Sequence, residues 1–163
     1  MRAFARHGAA TISSDEIVHE LIATDPEVRA ALDERFGTTD RAEIGRIVFA
    51  DRAELEWLEA LLHPRVVARY LAWREQQDAP LTVTEVPLLY ETGGDERFDK
   101  VVVITAPKGL REARRTPFPG DRELRLLPDD EKIERADFVY ENTGSLEELD
   151  GFVADVVARI IGS

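Results

Sequence analysis

Apolar residues recur along this chain at two spacings, and the spacings divide it into elements. Ile17, Val18, Leu21 and Ile22 form a helical stripe behind Ser13 and Glu16, whose Ser-x-x-Glu spacing predicts a reciprocal N-terminal cap. Asp25-Pro26-Glu27 predicts a second start with proline in the first turn, and Val28, Leu32 and Phe36 line its face up to Gly37. Asp40 with Glu43 opens a third helix carrying Ile44, Ile47 and Val48. Asp51 with Glu54 opens a fourth carrying Leu55, Leu58 and Leu62. Proline inside a helix removes a donor and clashes one turn back, so Pro64 is expected to end or kink this helix. The pattern then resumes through Val67, Tyr70 and Leu71. Ser145-x-x-Glu148 caps a last helix with Leu149, Phe152, Val153, Val156, Val157 and Ile160 at helical spacing.

The remaining apolar segments are short and β-branched. Leu81 to Val86 stops at Pro87, and Val101 to Thr105 is a continuous run of the kind found in strands buried on both faces. Phe138-Val139-Tyr140 is a shorter strand, and Thr11-Ile12 a very short one. Strands alternating with helices predict an α/β fold with a parallel sheet covered on both sides, in three layers. Such sheets bind ligands at the carboxyl ends of their strands. That rule selects Ser13-Ser14-Asp15, Glu85-Val86-Pro87, Thr105-Ala106-Pro107 and Glu141-Asn142.

Composition narrows the classes. A length of 163 residues fits one domain spanning 1–163, with no linker, repeat or low-complexity stretch. The 33 acidic and 21 basic residues give a net charge of −12, which argues against coating nucleic acid or an anionic membrane. The absence of cysteine excludes a disulfide framework, a cysteine zinc site and a thiol nucleophile, and suits a reducing cytoplasm. Apolar runs of about five residues fall far short of the roughly 18 that would span a bilayer. One window is basic. Lys108, Arg111, Arg114, Arg115, Arg122 and Arg125 stand against Glu112, Asp121 and Glu123, a set suited to bidentate oxyanion contacts or to a solvated helix face.

The strand ends carry an ordered set of motifs. These are Ile12-Ser-Ser-Asp15-Glu-Ile17, Asp40-Arg41 with Ile47-Val48-Phe49, and Leu58-Glu-Ala-Leu-Leu-His63-Pro64. Val86-Pro-Leu-Leu-Tyr-Glu91, Asp99 with Val101 to Ile104, and Ala136-Asp-Phe-Val139 with Asn142-Thr-Gly144-Ser145 follow. In this order they resemble the dephospho-CoA kinase family from about Arg2 to the C-terminus. The resemblance implies a P-loop-kinase-like fold, with a helical acceptor-binding insertion at about 25–77 and a shortened lid at about 111–128. It implies transfer of the ATP γ-phosphoryl, with Mg²⁺, to the 3′-hydroxyl of dephospho-CoA in the cytoplasm, with ATP and dephospho-CoA as small-molecule partners and neither nucleic acid nor membrane.

The sequence also departs from that family. It holds no G-x-x-x-x-G-K-[ST] loop, the element that cradles phosphates with backbone amides and a lysine. Arg2 to Gly8 resembles the end of the helix that follows such a loop, so the first, central strand is expected to be missing, as in a chain truncated to an internal start. Ser13 stands at the first acid of the family's Asp-x-Asp pair. Without the loop the chain is expected to be inactive or impaired. The alternative is a degenerate, non-catalytic member that binds a CoA-like ligand or a partner protein.

The resemblance assigns roles residue by residue. Asp15 becomes the general base on the acceptor hydroxyl or the residue that orients it; by spacing alone it is an acid in a helix first turn. His63, Pro87, Leu88 and Glu91 fall on the substrate side, although His63 alone reads as a packing or capping residue, and Leu88 and Leu89 as core. Glu85, on a strand expected to be buried, would need a magnesium or arginine partner. With a one-residue slip the family's Gln-x-x-Arg falls on Arg111 and Arg114, making Arg114 the second catalytic candidate; strict counting from Pro107 places Ala113 there. Asn142 and Gly144 fall near the nucleotide, where their local reading is a loop ahead of a helix cap. No residue is assigned as a protein metal ligand.

Overall fold

A computed structural model of the chain describes residues 1–107, 109–110 and 127–162. The elements run α1 (Arg2–Arg6), β1 (Ala10–Ser13), α2 (Ser14–Thr24), α3 (Pro26–Phe36), α4 (Arg41–Ala50), α5 (Arg52–Glu75), β2 (Thr82–Glu85), a 3₁₀ turn (Asp95–Arg97), β3 (Val102–Thr105), α6 (Asp129–Arg135), β4 (Phe138–Glu141) and α7 (Leu146–Ile161). Helices and strands alternate, as an α/β fold requires. The chain divides into two compact units. One comprises Met1–Ala10, Ala79–Val83 and the chain from Pro87 onward; the other comprises Thr11–Asp78 and Thr84–Val86.

The helical unit is built from capped helices. Asp25 accepts hydrogen bonds from the Glu27 and Val28 amides at 3.0 Å, and Gly37 closes α3 in the left-handed conformation at φ 69°. That conformation favours glycine because it carries no Cβ. Asp40 and Asp51 cap α4 and α5 in the same way, at 2.9 and 2.8 Å. Each such cap is worth about 1 kcal/mol. Ile17, Leu21, Ile22, Val28, Leu32, Ile44, Val48, Leu62 and Tyr70 supply the buried side chains.

One local expectation fails here and another is narrowed. Ser13 precedes α2, but its side chain makes no capping bond; it closes β1, and the strand sets its course. Pro64 does not end the helix. α5 runs unbroken from Arg52 to Glu75, and the Arg65 guanidinium donates to the Leu61 carbonyl at 2.9 Å beside the proline gap. The packing of α5 against α2 and α4 supports the helix through this point.

The other unit has a core of Ala3, Phe4 and Ala9 against Val153, Val156 and Val157, so α1 packs on α7. Leu81 just before β2, Val83 of β2, Val102 of β3, and Phe138 beside it rest on the same cluster. Arg6 pairs with Asp150 across this contact, and His7 Nε2 lies 3.3 Å from the same carboxylate. The Arg6 guanidinium holds the Asp150 carboxyl below its ordinary value.

Among the described residues the strands form two pairs rather than one sheet: β1 with β2, and β3 with β4. The β3–β4 pair is parallel, with Val102 opposite Phe138 and Thr105 opposite Glu141. The expectation that β3 is buried on both faces is therefore corrected. No residue of β3 is fully buried, and Ile104 is 47% exposed; among the described residues the strand pairs on one edge.

Candidate functional site

The helical unit carries Asp15 and His63. Asp15 sits in the first turn of α2, directly after β1, with its carboxylate exposed and no hydrogen bond or ion pair among the described residues. A negative charge at that end of a helix meets the positive end of the peptide dipoles. His63 lies on α5 beside Pro64, exposed and without a partner among the described residues. Glu85 ends β2 and is exposed, which corrects the expectation of a buried carboxylate in need of a partner.

Pro87, Leu88 and Glu91 belong to the turn after β2 in the other unit. Pro87 is exposed, Leu88 and Leu89 are half-buried, and Tyr90 is buried. Glu91 is tied inward. Its Oε1 accepts from the Lys132 ammonium at 2.7 Å and from the Leu127 amide at 3.0 Å, with the two side chains only 10% and 17% exposed. Burial raises the carboxyl's affinity for protons, but Lys132 and the backbone donors overcome it and hold the Glu91 pKa below its ordinary value. The other carboxylate oxygen is buried without a hydrogen-bond partner. Glu91 thus fixes the start of α6 to the turn after β2.

Beside it, the Arg135 guanidinium lies 4.2 Å from the centre of the Tyr90 ring and pairs with Asp95 at 2.7 Å. Burial keeps the Tyr90 phenol protonated, its pKa raised despite Arg135. Lys132 and Arg135 carry no sequence signal, because they stand in the acidic run Asp129 to Glu134 and its edge. Asp137 does have one: it is the acid of Ala-Asp-Phe-Val. Its carboxylate accepts from Lys100 at 2.8 Å and from the Val101 amide at 2.9 Å, clamping the starts of β3 and β4 together. Lys100 and the Val101 amide hold its pKa below the usual carboxylate value.

Asn142 follows β4, and its amide donates to the Thr105 carbonyl at 2.7 Å, so it prolongs the β3–β4 ladder. Gly144 precedes the α7 cap, where Ser145 Oγ accepts from the Glu148 amide at 3.2 Å and Glu148 accepts from the Ser145 amide at 2.8 Å. A Cβ at Gly144 would overlap the Glu148 carboxylate. Gly144→Ala is expected to displace that carboxylate and lose half the cap, lowering stability by about 0.5–1 kcal/mol. Thermal melts of G144A, E148A and the double variant check this. If the cap carries the effect, the double variant is no less stable than E148A; additive losses would refute it.

No hydrogen bond or ion pair joins Glu91 to Asn142, and Asp15 and His63 belong to the other compact unit. Arg114 and the rest of the basic window, with most of the expected lid, lie outside the described residues. Among the described residues no three His, Asp or Glu side chains are grouped to hold a metal ion, and no helix is long and apolar enough to cross a membrane.

A sequence profile described as dephospho-CoA kinase matches residues 1–148. A dephospho-CoA kinase from Rhodopseudomonas palustris is 38% identical over 173 aligned positions, covering 96% of this chain and 86% of its own. One from Thermosynechococcus vestitus is 35% identical, covering 88% and 78%. Among solved structures, a protein from Thermus thermophilus superposes with a TM-score of 0.77 at 30% identity, covering 98% of this chain and 89% of its own. The dephospho-CoA kinase from Campylobacter jejuni, at 24% identity and a TM-score of 0.68, shares the fold, covering 99% and 91%.

Proposed function

The chain belongs to the dephospho-CoA kinase family, and from that premise we propose that it binds dephospho-CoA as acceptor for the ATP γ-phosphoryl while transferring it slowly or not at all. The observation that carries the acceptor half is Asp15. Its carboxylate is exposed and uncommitted, at the strand-to-helix junction where α/β sheets place their ligands. Such a group accepts the proton of an alcohol as its oxygen attacks phosphorus, or aligns that oxygen beforehand. His63 and Pro87-Leu88 are assigned acceptor roles in this reading, and Asn142 and Gly144 nucleotide roles, each by family resemblance. Glu91 acts on the acceptor side from within, by holding the turn in place.

The transfer half is weakened by sequence. Phosphoryl transfer depends on positioning and charge stabilisation, and the 163 residues hold no G-x-x-x-x-G-K-[ST] loop to provide them. Mg²⁺ would enter as the complex with ATP in this reading, held by the nucleotide phosphates. A degenerate member that keeps only ligand binding is the second reading, favoured by the same missing motif.

Titration calorimetry with dephospho-CoA and with ATP separately, alongside a coupled turnover assay, tests the proposal. Dephospho-CoA is expected to bind, ATP to bind weakly or not at all, and turnover to fall far below the roughly 1–100 s⁻¹ usual for kinases. Turnover within that range would overturn the proposal, and so would failure to bind dephospho-CoA. Acceptor binding with no detectable turnover supports the degenerate member.

A further inference from the structure

The turn after β2 is closed on itself. The Leu88 carbonyl accepts from the Thr92 amide at 3.1 Å and from Thr92 Oγ1 at 2.8 Å, and the Leu89 carbonyl accepts from the Gly94 amide at 2.8 Å. A segment bonded in this way keeps its own shape, so its direction is set by what holds it. Both basic residues of α6 do so. Lys132 and Arg135 stand three positions apart, on one face of a helix otherwise rich in acids at Asp129, Asp130, Glu131 and Glu134. Lys132 reaches Glu91 at 2.7 Å. Arg135 lies 4.2 Å from the centre of the Tyr90 ring while pairing with Asp95 of the 3₁₀ turn at 2.7 Å. One helix thus grips two adjacent residues of the turn. A buried pair of opposite charges is often no more stable than an apolar pair of the same volume, so its distinctive property is direction rather than strength. Pro87 and Leu88 open the same turn just past the carboxyl end of β2, where α/β sheets place ligands.

We propose that Lys132 and Arg135 are positioning residues for acceptor binding: they hold Tyr90 and Glu91 so that Pro87 and Leu88 meet dephospho-CoA in one orientation. This inference rests on the reading of Pro87-Leu88 as acceptor contacts and adds the residues that aim them. The two cations do different work. Glu91 Oε1 accepts from Lys132 and, at 3.0 Å, from the Leu127 amide, so the carboxylate is fixed from two sides. The planar Arg135 guanidinium lies over the Tyr90 ring and restricts its tilt, which a point charge does not do. A turn held beforehand in its binding geometry loses less freedom when the ligand arrives, and the saving appears as affinity.

Titration calorimetry with dephospho-CoA, paired with thermal melts of the full chain, tests it. Lys132→Met and Arg135→Met are each expected to weaken binding at least about tenfold. Glu91→Leu with Lys132→Met separates aim from stability. The double variant is expected to melt within about 4 °C of the parent, yet still to bind at least about tenfold more weakly. Lys100→Met is the control. It removes an ion pair of the same unit, with Asp137 at the starts of β3 and β4, and is expected to bind within about twofold of the parent. Affinity that recovers together with Tm in the double variant would overturn the proposal, because the pair would then act through stability alone. So would parent-like binding by K132M and R135M, or an equal loss in K100M. These three outcomes leave the acceptor reading standing, whereas a parent chain that binds no dephospho-CoA would overturn that reading and this inference with it. Should K132M fail to fold, the double variant decides.

Discussion

Glu91→Ala is expected to lower stability by about 3 kcal/mol, because it leaves the Lys132 ammonium buried without its counter-charge. The size follows from where the pair sits. An exposed ion pair is worth about 0–1 kcal/mol, whereas removing one partner of a buried pair costs about 3–5 kcal/mol. Glu91 and Lys132 are 10% and 17% exposed, which places them toward the buried limit. For a domain of this length the loss corresponds to a fall in Tm of about 6–12 °C. Glu91→Leu with Lys132→Met removes both charges together and is expected to recover all but about 1 kcal/mol. Calorimetric melts of the single and double variants check this. If E91A melted within 2 °C of the parent, the pair would be no more than a surface contact.

The same pair sets an acid limit. The folded-state pKa of Glu91 lies below its unfolded value of about 4.3, so its contribution is fully present above that pH. It is lost as pH falls through the folded value. E91Q, which has no proton to take up, is expected to show a flatter fall in Tm across that acid range than the parent.

What could be read along the chain was local chemistry. The caps at Asp25, Asp40, Asp51 and Ser145 each involve residues within three positions of one another, and all four form. The four strands begin and end within two residues of the β-branched runs. Pro64 shows where local reasoning stops. Its missing donor is real, yet the helix continues through it, packed against α2 and α4. The β-branched run of β3 likewise predicts a strand but says nothing about how many neighbours pair with it. Glu91 has a substrate-side reading by resemblance, yet its ionic partner lies 41 residues on, in a short helix whose sequence is largely acidic. Gly144 had a nucleotide reading, and the geometry adds a second reason for glycine, the Glu148 carboxylate in its Cβ position.

Leu32→Ala tests the helical unit in the same terms. Leu32 is 0% exposed on α3, one turn after the equally buried Val28, and truncating it empties a cavity that neighbouring helices fill only in part. The expected loss is about 3 kcal/mol, or about 6–12 °C in Tm. Leu146 provides the matched control. It is 81% exposed at the first position of α7, so Leu146→Ala is expected to change stability by less than about 0.5 kcal/mol. The two substitutions remove the same atoms, and only burial differs. The ligand then separates stability from binding. Neither leucine is among the acceptor candidates, and a domain that keeps about 2 kcal/mol of stability is still more than about 95% folded. Dephospho-CoA affinity measured at 25 °C is therefore expected to be unchanged in L32A while its melting temperature falls. Equal Tm shifts for L32A and L146A would show that α3 does not bury its face in solution. A large affinity loss in a well-folded L32A would move Leu32 from the scaffold into the acceptor site.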